Sequence, residues 1–184
     1  MKYLLSLSTI LMLVFTPLAS EEAVEQIEAK ELELVVSFAK SLFSEDCNQF
    51  KDAFSYIKFN KKYQTGDNLI YQILCRAAAY NEFSRWFKRS SDGSFDPIYF
   101  PMPNLKRTTA GQFVIVGFRD VNELVNSEFD DEDQTVVFIN NLVGSGEASE
   151  RGEWVLQDGS FVFSRYLVDE TYDGMVNPIL VGEE

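Results

Sequence analysis

The chain has 184 residues, of which 29 are acidic, 16 basic and none histidine, giving a formal charge of −13. Such a charge repels nucleic acid and anionic membrane surfaces, which argues against nucleic acid as a partner. Without histidine the usual general base, the Ser-His and Cys-His nucleophile pairs and most zinc sites are gone; carboxylate chemistry and calcium binding through oxygen ligands remain.

The first element reads as an export signal. Lys2 precedes an apolar run from Leu4 to Phe15, broken only by Ser6, Ser8 and Thr9. Pro17-Leu18-Ala19-Ser20 then leads into Glu21-Glu22. A short apolar core ending in small residues fits a cleaved secretory peptide over 1–19, and it is too short for a comfortable membrane span. Its compact core with one lysine has a bacterial character, so the mature chain is expected in the periplasm or secreted. The remainder, 20–184, has the size of one globular domain, and no later run is long enough to be an integral membrane segment. Cys47 and Cys75 both follow the leader. Export places them in an oxidising compartment, where a disulfide is expected. Closing the loop between them would contribute roughly 3.5 kcal/mol on a chain-entropy account. They do not form a CxxC motif, so thiol exchange is not expected.

Residues 21–44 show helical spacing, with Val24, Ile27, Leu34, Val35, Phe38, Ala39, Leu42 and Phe43 on one stripe. Residues 48–60 fit either a short helix or a loop running into a strand. Thr65-Gly66-Asp67-Asn68 is a turn signal. Residues 69–100 read mainly as sheet, with a reversal at Ser90-Ser91-Asp92-Gly93-Ser94. A helix over 77–88 is the rival, because Ala77-Ala78-Ala79 favours it. Pro101-Met102-Pro103-Asn104 is expected to end this run. A polar connector over 106–111 leads to a short strand over 113–118, and 121–126 suggests a turn of helix. An acidic loop, 129–133, precedes a β-branched strand over 135–139. The clearest hairpin spans 152–167 around Asp158-Gly159. A turn at 171–174 and a last strand over 176–181 follow, where Pro178 favours an edge. The fold class is α+β: an N-terminal helix packed against a mainly antiparallel β-sheet domain.

Four segments occur in an order that resembles the DUF1176 family of bacterial periplasmic proteins, a domain of unknown function. Leu74-Cys75-Arg76-Ala77-Ala78-Ala79-Tyr80-Asn81 is similar to its Pro-Cys then Gly/Ala-Tyr-Asn segment. Leu124-Val125-Asn126-Ser127-Glu128-Phe129-Asp130 is similar to its Leu-x-Asn-Pro-x-Phe-Asp segment. Val137 to Gly146 resembles the stretch before its Gly-rich loop, and Glu153 to Phe163 its Trp-containing hairpin. The resemblance covers about 69–181. It implies a periplasmic location and an α+β fold, and it carries no catalytic assignment. This chain lacks the Asp-Cys-Gly usual in that family's loop, so any disulfide formed there in relatives is ruled out here.

Three groups are candidate sites. Arg76, Tyr80, Arg85, Trp86 and Arg89 belong to an aromatic stretch with interleaved arginines, the composition of an interaction surface. Asp130, Asp131, Glu132 and Asp133 are hard oxygen ligands close in sequence, a possible cation site, although they lack the spacing of a calcium-binding loop. Glu147, Glu150 and Asp158 could supply a carboxylate pair for glycosidic cleavage if they met across a cleft. Gly144-Ser145-Gly146 lacks the following Gly-Lys-Ser/Thr of a phosphate loop. No feature calls for a cofactor or a bound metal. The reading these features support is a non-enzymatic, exported binding or interaction module of the bacterial cell envelope, with a protein or an envelope component as partner. The alternatives are a carboxylate-dependent envelope hydrolase and a structural protein assembling through its N-terminal helix.

Overall fold

Helix α1 (Ala29–Leu42) lays Leu32, Val35 and Ala39 against a sheet, and all three are buried. Their three- and four-residue spacing is the core-facing stripe of an amphipathic helix. They meet Tyr71, Ile73, Cys75 and Phe87 in one apolar cluster. Phe38 touches the rings of Phe87 and Phe95 at 5.8 and 5.9 Å. The computed structural model describes residues 29–44, 47, 60–66, 68–142, 144 and 147–183. The expected export signal, the first turns of the expected helix and the 48–59 segment lie outside the described residues. Cys47 and Cys75 form the expected disulfide, with their Cα atoms 4.2 Å apart. It ties the chain beyond α1 to the sheet that α1 covers. A buried ionic anchor adds to this at the other end of the helix. The Glu31 carboxylate accepts hydrogen bonds from Tyr71 Oη at 2.5 Å, Arg89 at 2.8 Å and Lys62 Nζ at 3.2 Å.

The first sheet runs β1 (Lys61–Thr65), β2 (Asn68–Ala77), β3 (Glu82–Arg89), β4 (Phe95–Pro97), and β7 (Glu123–Val125) also pairs with β3. Every pairing is antiparallel. Six successive residues of β2, Ile70 to Cys75, are buried. A strand covered on both faces reads as a continuous apolar run, and this one has α1 on one side and the main core on the other. The second sheet has the order β12 (Ile179–Glu183), β11 (Ser160–Asp169), β10 (Ser149–Gln157), β9 (Thr135–Asn141), β8 (Glu128–Asp130). A separate hairpin, β5 (Phe100–Arg107) with β6 (Phe113–Val121), packs across it. The α+β class with a helix on antiparallel sheet is therefore met. Among the described residues no helix is long and apolar enough to cross a membrane.

An aromatic chain joins the layers. Tyr63 stacks on Trp86 at 6.0 Å, Trp86 meets Phe100 edge-on at 5.9 Å, and Phe100 meets Trp154 at 5.4 Å. Phe138 lies 5.6 Å from Trp154. Both indoles are fully buried, and both N–H groups are satisfied. Trp86 Nε1 donates to Ser127 Oγ at 3.2 Å and Trp154 Nε1 to the Pro101 carbonyl at 3.1 Å. A buried N–H without an acceptor is costly, so these two bonds fix how the strands meet. Gly152 permits the closest contact: a Cβ there would lie 2.7 Å from Phe138 and 2.8 Å from Trp154.

Several expectations are corrected. The rival helix over 77–88 is instead the end of β2, a corner and β3, because burial of Trp86 on one face and Phe87 on the other overrides alanine's helix preference. Pro101 and Pro103 do not stop a strand; both lie inside β5, opposite Asp120 and Phe118. Their missing N–H groups share one side of the strand. The side away from β6 tolerates this, and there the Pro101 carbonyl finds Trp154. The 121–126 stretch is not helical; it completes β6 and forms β7. The hairpin at Asp158-Gly159 is as expected, with φ values of 49° and 77°.

Phe100→Ala should lower the unfolding free energy by about 3–5 kcal/mol, read from urea denaturation, and Phe100→Leu by clearly less. A loss below about 1 kcal/mol for the alanine variant would show that the layers do not depend on this ring. A second expectation concerns pH. Burial pushes the Glu31 carboxyl up, but the Tyr71 hydroxyl and the Lys62 and Arg89 charges outweigh it, and the net shift is downward. A lowered folded value gives stability that is present above the ordinary carboxylate range and lost as pH falls through the folded value. Glu31→Gln should therefore cost about 1.5–3 kcal/mol at neutral pH, and the gap to the parent should close below about pH 4. Parallel stability curves down to acid pH would contradict this.

Candidate functional site

The β5–β6 hairpin is held at two places. Phe100 fixes its root, where it also touches Phe161 at 5.0 Å, and Arg107 near its tip pairs with Glu170 at 3.2 Å. Between these points the hairpin covers a cleft of about 770 Å³. That volume lies within the range of about 300–1,000 Å³ common for small-molecule sites. Phe138, Tyr166 and Val168 of the second sheet face it, and Arg85, Glu123 and Val125 close it from the first.

A buried polar network forms one wall. Arg85 is only 7% exposed, and its guanidinium donates to Asn122 Oδ1. It lies 3.3 Å from Glu123 Oε2 and stacks 4.0 Å over the Phe43 ring. Arg76 donates to Glu123 Oε1 at 2.7 Å and lies 3.5 Å over Phe83. Asn122 is 6% exposed, and among the described residues its Nδ2 and the nearby Arg76 Nε have no hydrogen-bond partner, while Glu123 Oε2 is met only by the ion pair with Arg85. These atoms are enclosed by protein, so the network builds the wall rather than presenting them to the cleft.

The opposite wall centres on Glu150. Asn140 Nδ2 donates to its carboxylate at 3.3 Å. Burial and then the Glu150 charge push the buried Tyr166 hydroxyl well above its ordinary pKa. Arg119 of β6 acts on Tyr166 in the opposite sense. Tyr99 stands half-exposed at the rim.

An asparagine clamp positions this wall. Asn126, in the left-handed region at φ 41°, sits at the corner between β7 and β8. Its Oδ1 accepts from Glu82 N at 2.8 Å, and its Nδ2 donates to Asn81 Oδ1 at 2.8 Å and Ile139 O at 3.0 Å. Asn81 in turn donates to Asn141 O at 3.0 Å, and its Oδ1 accepts from Asn141 N at 3.2 Å. The clamp thus joins β3 and β7 of the first sheet to β9 of the second. Beside it the Tyr80 ring lies so close to Gly144 that a Cβ there would fall 2.4 Å away.

The expected sites fare differently. Arg76, Tyr80, Arg85, Trp86 and Arg89 do not form one exposed surface. Trp86 is in the core and Arg85 is buried, and Arg89 is bonded to Glu31 on α1; Tyr80, beside Gly144, stays exposed. Alternation along β3 sends neighbours to opposite faces, and both faces are covered. Arg85 and Arg76 instead enter the cleft-wall network. The acidic loop is a turn between β8 and β9, in which Asp130 Oδ1 accepts from the backbone N–H groups of Glu132 and Asp133. Burial and the Asp130 charge push the Asp131 carboxyl up. Among the described residues no group of three or more His, Cys, Asp or Glu side chains is placed to hold a metal ion. Of Glu147, Glu150 and Asp158, only Glu150 lines the cleft; Asp158 turns the far end of the β10–β11 hairpin. On α1, Leu32, Val35 and Ala39 are spent on the first sheet, whereas Leu34 and Leu42 of the expected stripe are exposed. Asn122, Glu123, Arg119, Asn140 and Tyr166 gave no motif, because they come from three separated stretches that meet only in the fold.

No family model, curated protein or solved structure matches the chain.

Asn126→Ala should lower stability by about 2–3 kcal/mol, since it strands the Glu82 amide and the Ile139 carbonyl and places alanine at positive φ. Asn126→Gly keeps the backbone conformation and should recover part of that loss, measured by thermal and urea unfolding. Equal stability of alanine and glycine variants would show that the backbone conformation contributes nothing.

Proposed function

We propose that this chain is an exported binding module of the bacterial cell envelope whose ligand occupies the cleft beneath the β5–β6 hairpin. The observation that carries the reading is the cleft itself, about 770 Å³ and lined by apolar groups of both sheets together with Asn104, Arg119, Asn140 and Glu150. Concave sites of this volume, with a few placed polar groups among apolar ones, are where small molecules bind. The Cys47–Cys75 disulfide suits an oxidising compartment, and the amino-terminal leader and the resemblance to the DUF1176 periplasmic proteins support the same location.

The cleft carboxylates favour binding over hydrolysis. Glu123 is engaged by two guanidinium groups, and Glu150 by Asn140. Each is committed to protein partners, whereas a glycosidase needs one acid free to protonate a leaving group and a second to act on the sugar.

A soluble fragment library screened by two-dimensional amide NMR on the disulfide-bonded mature chain tests the reading. Hits should shift the amides of Arg119 to Glu123 and of Asn140 together, and Asn104→Trp, which fills the cleft, should abolish them. Shifts scattered over the surface, or hits untouched by the tryptophan, would refute it.

A further inference from the structure

We infer that the outer edge of β6 pairs with the same edge of a second copy of this chain, giving a two-fold dimer; the inference does not depend on what the cleft holds. Among the described residues β6 pairs with β5 alone, so its other edge carries unpaired backbone groups. Such an edge is a template for another strand, and proteins ordinarily blunt it by brevity, charge or proline. The other outer strands are blunted in this way. β4, β7 and β8 have three residues each. β1 opens on Lys61-Lys62, β5 carries Pro101 and Pro103, and β12 follows Pro178 and ends on Glu183. β6 is the exception. It has nine residues, and its run from Phe113 to Phe118 contains no charge and no proline. Val114, Val116 and Phe118 are 40, 60 and 45% exposed. Uncharged, β-prone runs of about six residues are those that pair with copies of themselves.

Hydrogen-bond parity points to a second copy. Proline has no N–H, so Pro101 and Pro103 sit where β5 and β6 exchange no hydrogen bonds, and the Pro101 carbonyl turns away to Trp154. Their opposites, Asp120 and Phe118, therefore turn their backbone groups to the outer edge. A bulge at Val116, which has no opposite in β5, shifts the alternation by one residue. Beyond it the Gln112 carbonyl accepts from Thr108 within the hairpin, so Phe113 and Ile115 point outward. This outward set maps onto itself about a two-fold axis between Val116 and Gly117: Phe113 meets Asp120 of the other copy, and Ile115 meets Phe118. Arg119 falls opposite Val114, so no like charges face each other. A contact of this kind uses one patch twice and closes at two copies. The formal charge of −13 on each copy opposes association, but from a distance, where salt screens it.

Sedimentation of the disulfide-bonded mature chain over a concentration series makes the test. A reversible monomer–dimer equilibrium is expected, tightening roughly threefold or more as salt rises from about 0.05 to about 0.5 M. In the dimer the amides of Ile115, Phe118 and Asp120 should exchange with deuterium about tenfold more slowly than in the dilute chain. Val116→Lys, at an exposed position, brings two like charges together at the axis and should abolish the dimer with the melting temperature kept. Should that variant lose stability, exchange of the three amides in the parent decides alone. A chain that stays monomeric at every concentration and salt overturns the inference. So does a dimer whose three amides exchange as freely as in the monomer, or one that a folded Val116→Lys variant retains, since either places the contact elsewhere.

Discussion

The position of Phe100 between two buried indoles is the constraint on which the architecture depends. Trp86 belongs to the first sheet and Trp154 to the second, and the ring that separates them begins the β5–β6 hairpin. The next residue, Pro101, supplies the carbonyl that satisfies the Trp154 N–H. One strand therefore fills the space between the sheets and answers a polar group that burial would otherwise strand. Moving β5 would break the packing and the hydrogen bond together, and each loss makes the other costlier. The root of the hairpin is fixed for this reason. The Arg107–Glu170 pair holds the other end, and the cleft is what lies between.

What could be read in advance was local. The helix is a matter of spacing, and Val35 and Ala39 are buried where the stripe puts them, but Leu34 and Leu42 of that stripe are exposed and Leu32, outside it, is buried instead. Asp158-Gly159 has the chemistry of a turn with two positive φ values, and it makes one. What could not be read was decided by contacts distant in sequence. Ala77-Ala78-Ala79 is a fair helix start, but Phe87 has to meet α1 while Trp86 meets the core, and only a strand sends consecutive residues to opposite faces. Two prolines in three residues look like a break until the partner strand is known to lie on one side alone. β7, with three residues, is too short for any period to register.

The arginines illustrate the same limit at the site. Next to aromatics in the sequence they suggest an exposed patch. In the fold Arg85 is buried, which is tolerable because Glu123 stands across the β3–β7 pairing and Phe43 covers the guanidinium. A buried charge needs a counter-charge with good geometry, and nothing in a single sequence says which carboxylate will supply it. The disulfide was easier because two cysteines allow one intramolecular pairing. Glu150 was among the acids singled out, but for a partnership with Glu147 and Asp158 that the β10 strand prevents by running away from the cleft towards Asp158.

The four segments singled out in the sequence have a common physical role. Asn81, Asn126 and Asn141 come from the first three and form one hydrogen-bonded clamp, with Tyr80 and Gly144 packed beside it. The fourth contributes Trp154, the partner of Phe100 and Phe138. These are framework contacts: they hold the two sheets together, and of the four segments only Val125, Phe138, Asn140 and Leu142 line the cleft. The residues that give the cleft its polarity, Arg85, Arg119, Asn122, Glu123 and Glu150, lie outside those matched positions or between them. What the cleft holds has to be argued from the groups that line it, Arg119, Asn140 and Glu150 among them.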